Sequence, residues 1–278
     1  MKTVLLAVLL LALAAAAAAV AWSYWRFSRS IDRDVVRIVA AAPQQPATVT
    51  AERLAGLPAV VQRYLAWSGV VAGQAIPSVV RLTQVGRIRS GRTAAWMAFE
   101  AEETYSTAPP AFVWRAWLPR RSLPLVIGRD LYTGATAGIL MKALGLFAVA
   151  DEGGEALRAA GLMRYLSEMI WFPAAFLGDN VSWRGIDEQS AEVTISDRGM
   201  TATAVLFFDG EGRLTNFRAE RYNTGTRSVE TWETPITGYG AFAGLTVPVT
   251  GVGVWKVADG DFTYIELEVT GVTYEPEH

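Results

Sequence analysis

The sequence predicts an α+β fold. An N-terminal transmembrane helix leads into a curved, half-barrel-like antiparallel sheet with helices packed on one face. Three observations predict it. Residues 3–25 carry no charge and are almost wholly apolar. Segments of strand character lie on both sides of one central helical stretch. The connections between those segments are short, which makes sequence neighbours antiparallel.

Lys2 on one side and Arg26 and Arg29 on the other bracket the first element. About 20 apolar residues span a bilayer core as a helix. Trp22, Tyr24 and Trp25 sit at one end of the run, where an interfacial aromatic belt belongs. The run exceeds the h-region of a signal peptide, about 7–15 residues. We therefore read residues 1–29 as an uncleaved anchor, with a cleaved signal as the alternative. Lys2 and the free amine favour an inside N-terminus, and Arg26, Arg29, Arg33 and Arg37 pull the other way. Short N-terminal anchors commonly export the chain beyond them, so an extracytoplasmic domain in the cell envelope is expected.

Residues 30–51 read as a juxtamembrane helix and linker. Ile31, Val35 and Ile38 have helical spacing, and Pro43 and Pro46 end it. Residues 52–278 read as a single α+β domain. It opens with a helix whose stripe is Leu57, Val61, Tyr64 and Leu65, with Pro58 in its first turn and Gly69 as its C′ stop. Strands are expected from about 78 to 133, a helical stretch from about 136 to 177, and strands again to the end. In the helical stretch Leu162, Tyr165, Leu166, Met169 and Ile170 share one face, Arg164 and Glu168 another, and Pro173 closes it. Turn residues at 209–212 and 258–261 mark hairpins.

Composition removes several chemistries. The chain has no Cys, which excludes disulfides, thiolate catalysis and Cys-ligated metals. The only His is His278, the last residue, so a Ser-His-Asp triad or a His-bearing metal site inside the fold is excluded. No metal site is expected. No P-loop, G-x-G-x-x-G or G-x-S-x-G motif appears, so no cofactor is expected either. Residues 1–29 hold three basic side chains and no acid, so the net charge of −2 becomes −5 for the remainder. A mildly acidic domain is a poor match for nucleic acid.

Carboxylates and aromatics remain. Glu266 with Glu268 and Glu100 with Glu102 each share a strand face, which reads as a solvated surface. Glu168 is the one weak catalytic candidate: an acid in an apolar helix beside Trp171, one turn after Arg164. It could be a pocket acid or half of an Arg–Glu pair. Trp96, Phe112, Trp114, Tyr165 and Trp171 are the candidate ligand-binding residues. A concave sheet lined with them would hold an acyl chain or other apolar ligand, and the competing reading is core packing. The leading expectation is thus a membrane-tethered domain binding an apolar or lipid ligand. The alternatives are a structural or interaction domain of the envelope, and a carboxylate-dependent hydrolase.

Three fragments carry a resemblance. Leu57-Pro58, Val61 and Arg63-Tyr64-Leu65 read L-P-x-x-V-x-R-Y-L. Glu168, Trp171 and Pro173 read E-x-x-W-x-P after Arg164-Tyr165-Leu166. Val247-Pro248, Trp255, Tyr264 and Tyr274 lie near the end. Together they resemble a bacterial family of uncharacterised membrane-anchored proteins, a domain of unknown function, from about Leu57 to Tyr274. The family implies no catalytic residue. The strand–helix–strand order also resembles LolA-type envelope proteins, whose half-barrel wraps helices and can hold acyl chains; that is a likeness of architecture.

Overall fold

The computed structural model describes residues 1–276, so His278 lies outside the described residues. The uncharged run begins a single helix, α1 (Lys2–Ala41), long and apolar enough to cross a membrane. Arg26 does not interrupt it. Beyond that point the helix becomes amphipathic, and Phe27, Ile31 and Ile38 are buried. They pack on Val113, Trp117, Ile127 and Leu131. The stripe read from the sequence therefore has a partner, the outer face of the sheet. Asp34 pairs with Arg129 at 2.8 Å, and Asp32 pairs with Arg115. Trp117 Nε1 donates to the Tyr24 hydroxyl at 2.8 Å.

Two short helices come next, α2 (Ala51–Ala55) and α3 (Ala59–Trp67). At the end of α3 the Val70 amide bonds the Leu65 carbonyl and the Gly69 amide bonds the Ala66 carbonyl. That is a Schellman stop, and Gly69 supplies the positive φ it needs, at 85°. Six strands succeed them: β1 (Val79–Ile88), β2 (Met97–Thr107), β3 (Pro110–Leu118), β4 (Val126–Tyr132), β5 (Ala137–Ala143) and β6 (Phe147–Gly153). Then α4 (Glu155–Glu168) leads into 3-10 turns at Met169–Trp171 and Pro173–Leu177.

The second strand group is β7 (Val181–Gly185), β8 (Ser190–Asp197), β9 (Met200–Phe208), β10 (Leu214–Asn223), β11 (Ser228–Glu233), β12 (Ile236–Phe242), β13 (Leu245–Val257) and β14 (Gly260–Glu275). All fourteen join one sheet, in the order β6-β5-β4-β3-β2-β1-β14-β13-β11-β10-β9-β8-β7, with β12 on β13. Antiparallel pairing of β1 with β14 makes the two groups one continuous sheet. Strands β4 to β6 and β8 to β10 all touch α4, although they lie toward opposite ends of that order. The sheet therefore curls round the helix.

The expected helix from 136 to 154 is a hairpin instead, β5–β6. Its Ala-rich run is compatible with either structure, but glycines at 134, 138, 145, 153 and 154 punctuate it, and glycine disfavours a helix interior. The helical reading holds from Glu155 onward. The strand β12 is an element the sequence pattern does not set apart.

Strands β1, β3 and β5 run the same way and end at Ile88, Leu118 and Ala143 on one rim. Trp117 and Gly145 place this rim beside Tyr24 of α1, so we call it the proximal rim. The β2–β3 turn at Thr107–Pro110 lies on the opposite, distal rim. The eight steps from Pro110 to Leu118 set the rims about 26 Å apart at ~3.3 Å per residue.

Candidate functional site

Cross-strand register builds the inner face in rows. Glu103 on β2, Trp114 on β3 and Asp130 on β4 lie side by side. Tyr105, Phe112 and Tyr132 form the next row. Both rows face α4, which drops Arg164 between the acids. Arg164 reaches Glu103 at 2.9 Å, Asp130 at 2.6 Å and Glu168 at 2.7 Å. Its guanidinium also lies 4.8 Å from the Phe112 ring centre and 5.4 Å from that of Trp114. Outer bonds complete the network. The Tyr105 hydroxyl donates to Glu168 at 3.2 Å, the Gln84 amide donates to Glu103 at 3.3 Å, and Trp114 Nε1 donates to Gln84 at 3.0 Å.

One cation thus faces three carboxylates, and protonation states adjust. Burial raises Glu103 well above the usual carboxylate range, the charge of Glu168 adds to the rise, and Arg164 opposes it. Burial raises Glu168 as well, with Arg164 the main opposing influence. Burial works against the charge on Arg164, but Glu168, Glu103 and Asp130 outweigh it and keep the guanidinium protonated. The arrangement is a neutralised polar knot on an otherwise apolar face. The guanidinium fills the centre where a cation would otherwise sit. Among the described residues no group of three or more His, Cys, Asp or Glu is placed to hold a metal ion.

A cleft of about 370 Å³ opens at the distal rim, between the sheet and the turns that succeed α4. Ile76, Pro109, Tyr165, Met169 and Ile195 give it an apolar wall. Arg53, Asp179, Asp197 and Arg198 line its polar side. The wall is fixed by hydrogen bonds: the Tyr165 hydroxyl donates to the Ser106 carbonyl at 3.1 Å, and the Tyr132 hydroxyl to Asp197 at 2.7 Å. Burial raises both phenols, so they are neutral donors at physiological pH.

The five aromatics read from the sequence divide accordingly. Tyr165 lines the cleft. Phe112, Trp114 and Trp171 are buried in the main core between sheet and helices, with Trp171 Nε1 donating to the Pro248 carbonyl at 3.0 Å. Trp96 stands apart on the surface, its ring between Arg87 and Arg89 at 4.8 and 4.5 Å. Glu168 is buried, bound to both Arg164 and Tyr105, and does not line the cleft. Sequence reasoning missed Glu103 and Asp130. The signal for Glu103 was available: it shares the buried face of β2 with Phe99, Ala101 and Tyr105, so an acid sits on an apolar face.

Fold and site together describe a protein whose N-terminal helix is long and apolar enough to cross a membrane, and whose curled antiparallel sheet encloses a short helix and leaves a cleft at the distal rim. The chain belongs to the family of unknown function DUF6544, whose profile matches residues 47–267. The motif residues Leu57 to Leu65 and Arg164 to Pro173 lie inside that span. Solved structures similar to it include a LolA superfamily protein from Nitrosomonas europaea, at 10% identity and a TM-score of 0.45, covering 81% of this chain and 94% of that one. Another is a DUF1329 family protein from Desulfovibrio piger, at 9% identity and a TM-score of 0.44, covering 79% and 93%. No curated protein matches the chain.

Proposed function

We propose that the chain is a membrane-tethered binding domain of the cell envelope, with the folded part outside the cytoplasm, that takes an apolar or lipid-like ligand into the distal cleft. The observation that carries the reading is the cleft itself. Its volume of about 370 Å³ falls within the range of small-molecule sites, and its apolar wall ends in a polar mouth. Such a lining suits an apolar tail with a polar head. Tyr165 contributes to that wall from the edge of the main core. Glu168 lies outside the cleft, bound to Arg164 and Tyr105, so no support accrues to a hydrolase.

A diazirine-bearing fatty acid, added to the full chain in nanodiscs and photoactivated, tests this. Crosslinks are expected on cleft peptides containing Tyr165, Met169 or Ile195, in addition to those on α1 from bulk lipid. The substitution Ala47→Trp places an indole at an exposed position on the cleft lining and is expected to abolish the cleft crosslinks alone. Labelling confined to α1, or cleft labelling unchanged in Ala47→Trp, refutes the reading. A second reading, an envelope interaction domain without ligand, is favoured by one observation. Tyr105, Phe112, Tyr132, Phe172 and Phe176 fill the space between sheet and helix, each under 2% exposed.

A further inference from the structure

The proximal rim carries apolar side chains that none of the described residues cover. Leu144, Leu146 and Phe147 surround the tip of the β5–β6 hairpin, and Leu123 and Leu125 lie in the adjoining loop. All five are exposed, Phe147 at 66% and Leu123 at 68%. The two loops are joined, since the Leu144 amide donates to the Leu125 carbonyl at 2.8 Å. Leu144 also holds a φ of 51°, a left-handed turn position where Asn or Gly is usual. A soluble hairpin would place a polar residue there.

The patch is fastened to the anchor at a defined height. Ser23 Oγ donates to the Gly145 carbonyl at 2.7 Å. A Cβ at Gly145 would lie 2.7 Å from the Tyr24 Cα, so only glycine allows this approach. Ser23 and Tyr24 immediately precede Trp25, the last residue of the uncharged run. Around them the helix has the signature of a membrane interface. Trp22 and Trp25 face outward, with Arg26 over Trp22 at 5.5 Å and Arg29 over Trp25 at 5.7 Å. The leucines and Phe147 therefore stand at the level where α1 leaves the hydrocarbon.

Charge obeys the same division. The basic side chains Arg120 and Lys142 flank the apolar tips, as Arg26 and Arg29 do on α1, while Arg121 beside them is paired with Glu102. The nearest acids on β6, Asp151 and Glu152, lie five or more residues up the strand from Leu146, about 16 Å at ~3.3 Å per residue. Apolar tips flanked by Arg120 and Lys142, below the interfacial cations of α1, match an anionic bilayer surface.

We propose that the proximal rim is a second membrane contact: the β5–β6 tip and the loop holding Leu123 and Leu125 insert into the interface of the bilayer that α1 crosses. The proposal rests on α1 being retained in that bilayer, and it is independent of the cleft. The domain then lies with its proximal rim on the membrane and its distal rim turned away.

The chain has no Cys, so single cysteines can be labelled cleanly. Phe147→Cys, Leu123→Cys, Ala135→Cys in the exposed β4–β5 turn on the distal rim and Ala14→Cys within the anchor would each carry an environment-sensitive fluorophore. The full chain goes into nanodiscs of phosphatidylglycerol and phosphatidylcholine, and quenching by doxyl-lipid is compared with quenching by aqueous iodide. The expected result is lipid quenching with loss of iodide quenching at 147, 123 and 14, and the reverse at 135. Lipid quenching at 14 alone leaves the anchor intact and overturns the rim contact. Loss of lipid quenching at 14 removes the anchor and the rim contact together. Neither outcome touches the crosslinking test of the cleft.

Discussion

Replacing Arg164 by Met separates the electrostatics of the buried knot from its packing. The methionine keeps an unbranched stem against Phe112 and Trp114, and swaps of this kind cost under about 1.5 kcal/mol for packing alone. The charge is another matter. Arg164 makes three charge-assisted contacts, at 2.9, 2.6 and 2.7 Å, to acids that are mostly buried. Removing one partner of a buried ion pair costs about 3–5 kcal/mol, because the other charge is left without compensation. Three acids are left here, but Glu103 and Glu168 can escape by protonation, since burial already raises both. The expected loss is therefore about 3–5 kcal/mol near neutral pH, a large share of a total of ~5–15 kcal/mol. It should shrink toward the packing loss as the pH approaches 5. Urea unfolding of the full chain in nanodiscs, monitored by tryptophan fluorescence at both pH values, measures it. A loss below about 1 kcal/mol at neutral pH, or an equal loss at both, would refute the assignment of a charge-dependent knot. Adding Glu103→Gln should restore part of the loss, with a coupling of about 0.5–3 kcal/mol.

The same cluster predicts a pH dependence in the unsubstituted protein. Glu103 has a folded pKa raised above its ordinary 4.5, so the folded state holds a proton that the unfolded chain has released. Stability should fall as pH rises from about 4.5 through the folded value, by up to ~1.4 kcal/mol per pH unit. Glu103→Gln should flatten that slope; an unchanged slope in denaturation curves would remove Glu103 as its source. At the end of α3, Gly69→Ala combines a φ of 85° with a Cβ 2.7 Å from the Gly244 carbonyl oxygen. A loss of about 2 kcal/mol or more is expected from the left-handed strain and the clash, and a thermal shift near zero would count against the Schellman stop.

Much of the architecture was legible in the sequence. The long apolar helix declared itself by the absence of charge over residues 3–25, α3 by its stripe and its Gly69 stop, and the strand groups by short turns. The family fragments were legible too, and their residues are structural: Tyr64, Tyr165 and Trp171 are all in the main core. Three features were not legible, each for a physical reason. The β5–β6 run is Ala-rich and carries no clean period, so only pairing with β4 decides it. The strand β3 is buried almost throughout because α1 covers one face and α4 the other, and no local pattern reveals a second cover. The polar knot draws Glu103, Asp130 and Arg164 from three separated segments, so spacing along the chain could expose only the Arg164–Glu168 pair. The aromatic set mixed wall, core and surface because tryptophan and tyrosine serve all three.

The grip of α1 on the sheet has one more consequence. With 40 residues the helix is about 60 Å long at ~1.5 Å per residue, and its outer third is clamped to the domain by Ile31, Ile38 and the Asp34–Arg129 pair. With α1 retained in a bilayer, as proposed above, it acts as a mast rather than a leash. A leashed domain tumbles and samples every height its tether permits. A masted one diffuses in the plane at a single stand-off, its distal face always at the same altitude. Part of the orientational entropy that a free partner would lose on docking is already spent. Encounters then favour molecules whose own binding faces ride at that altitude.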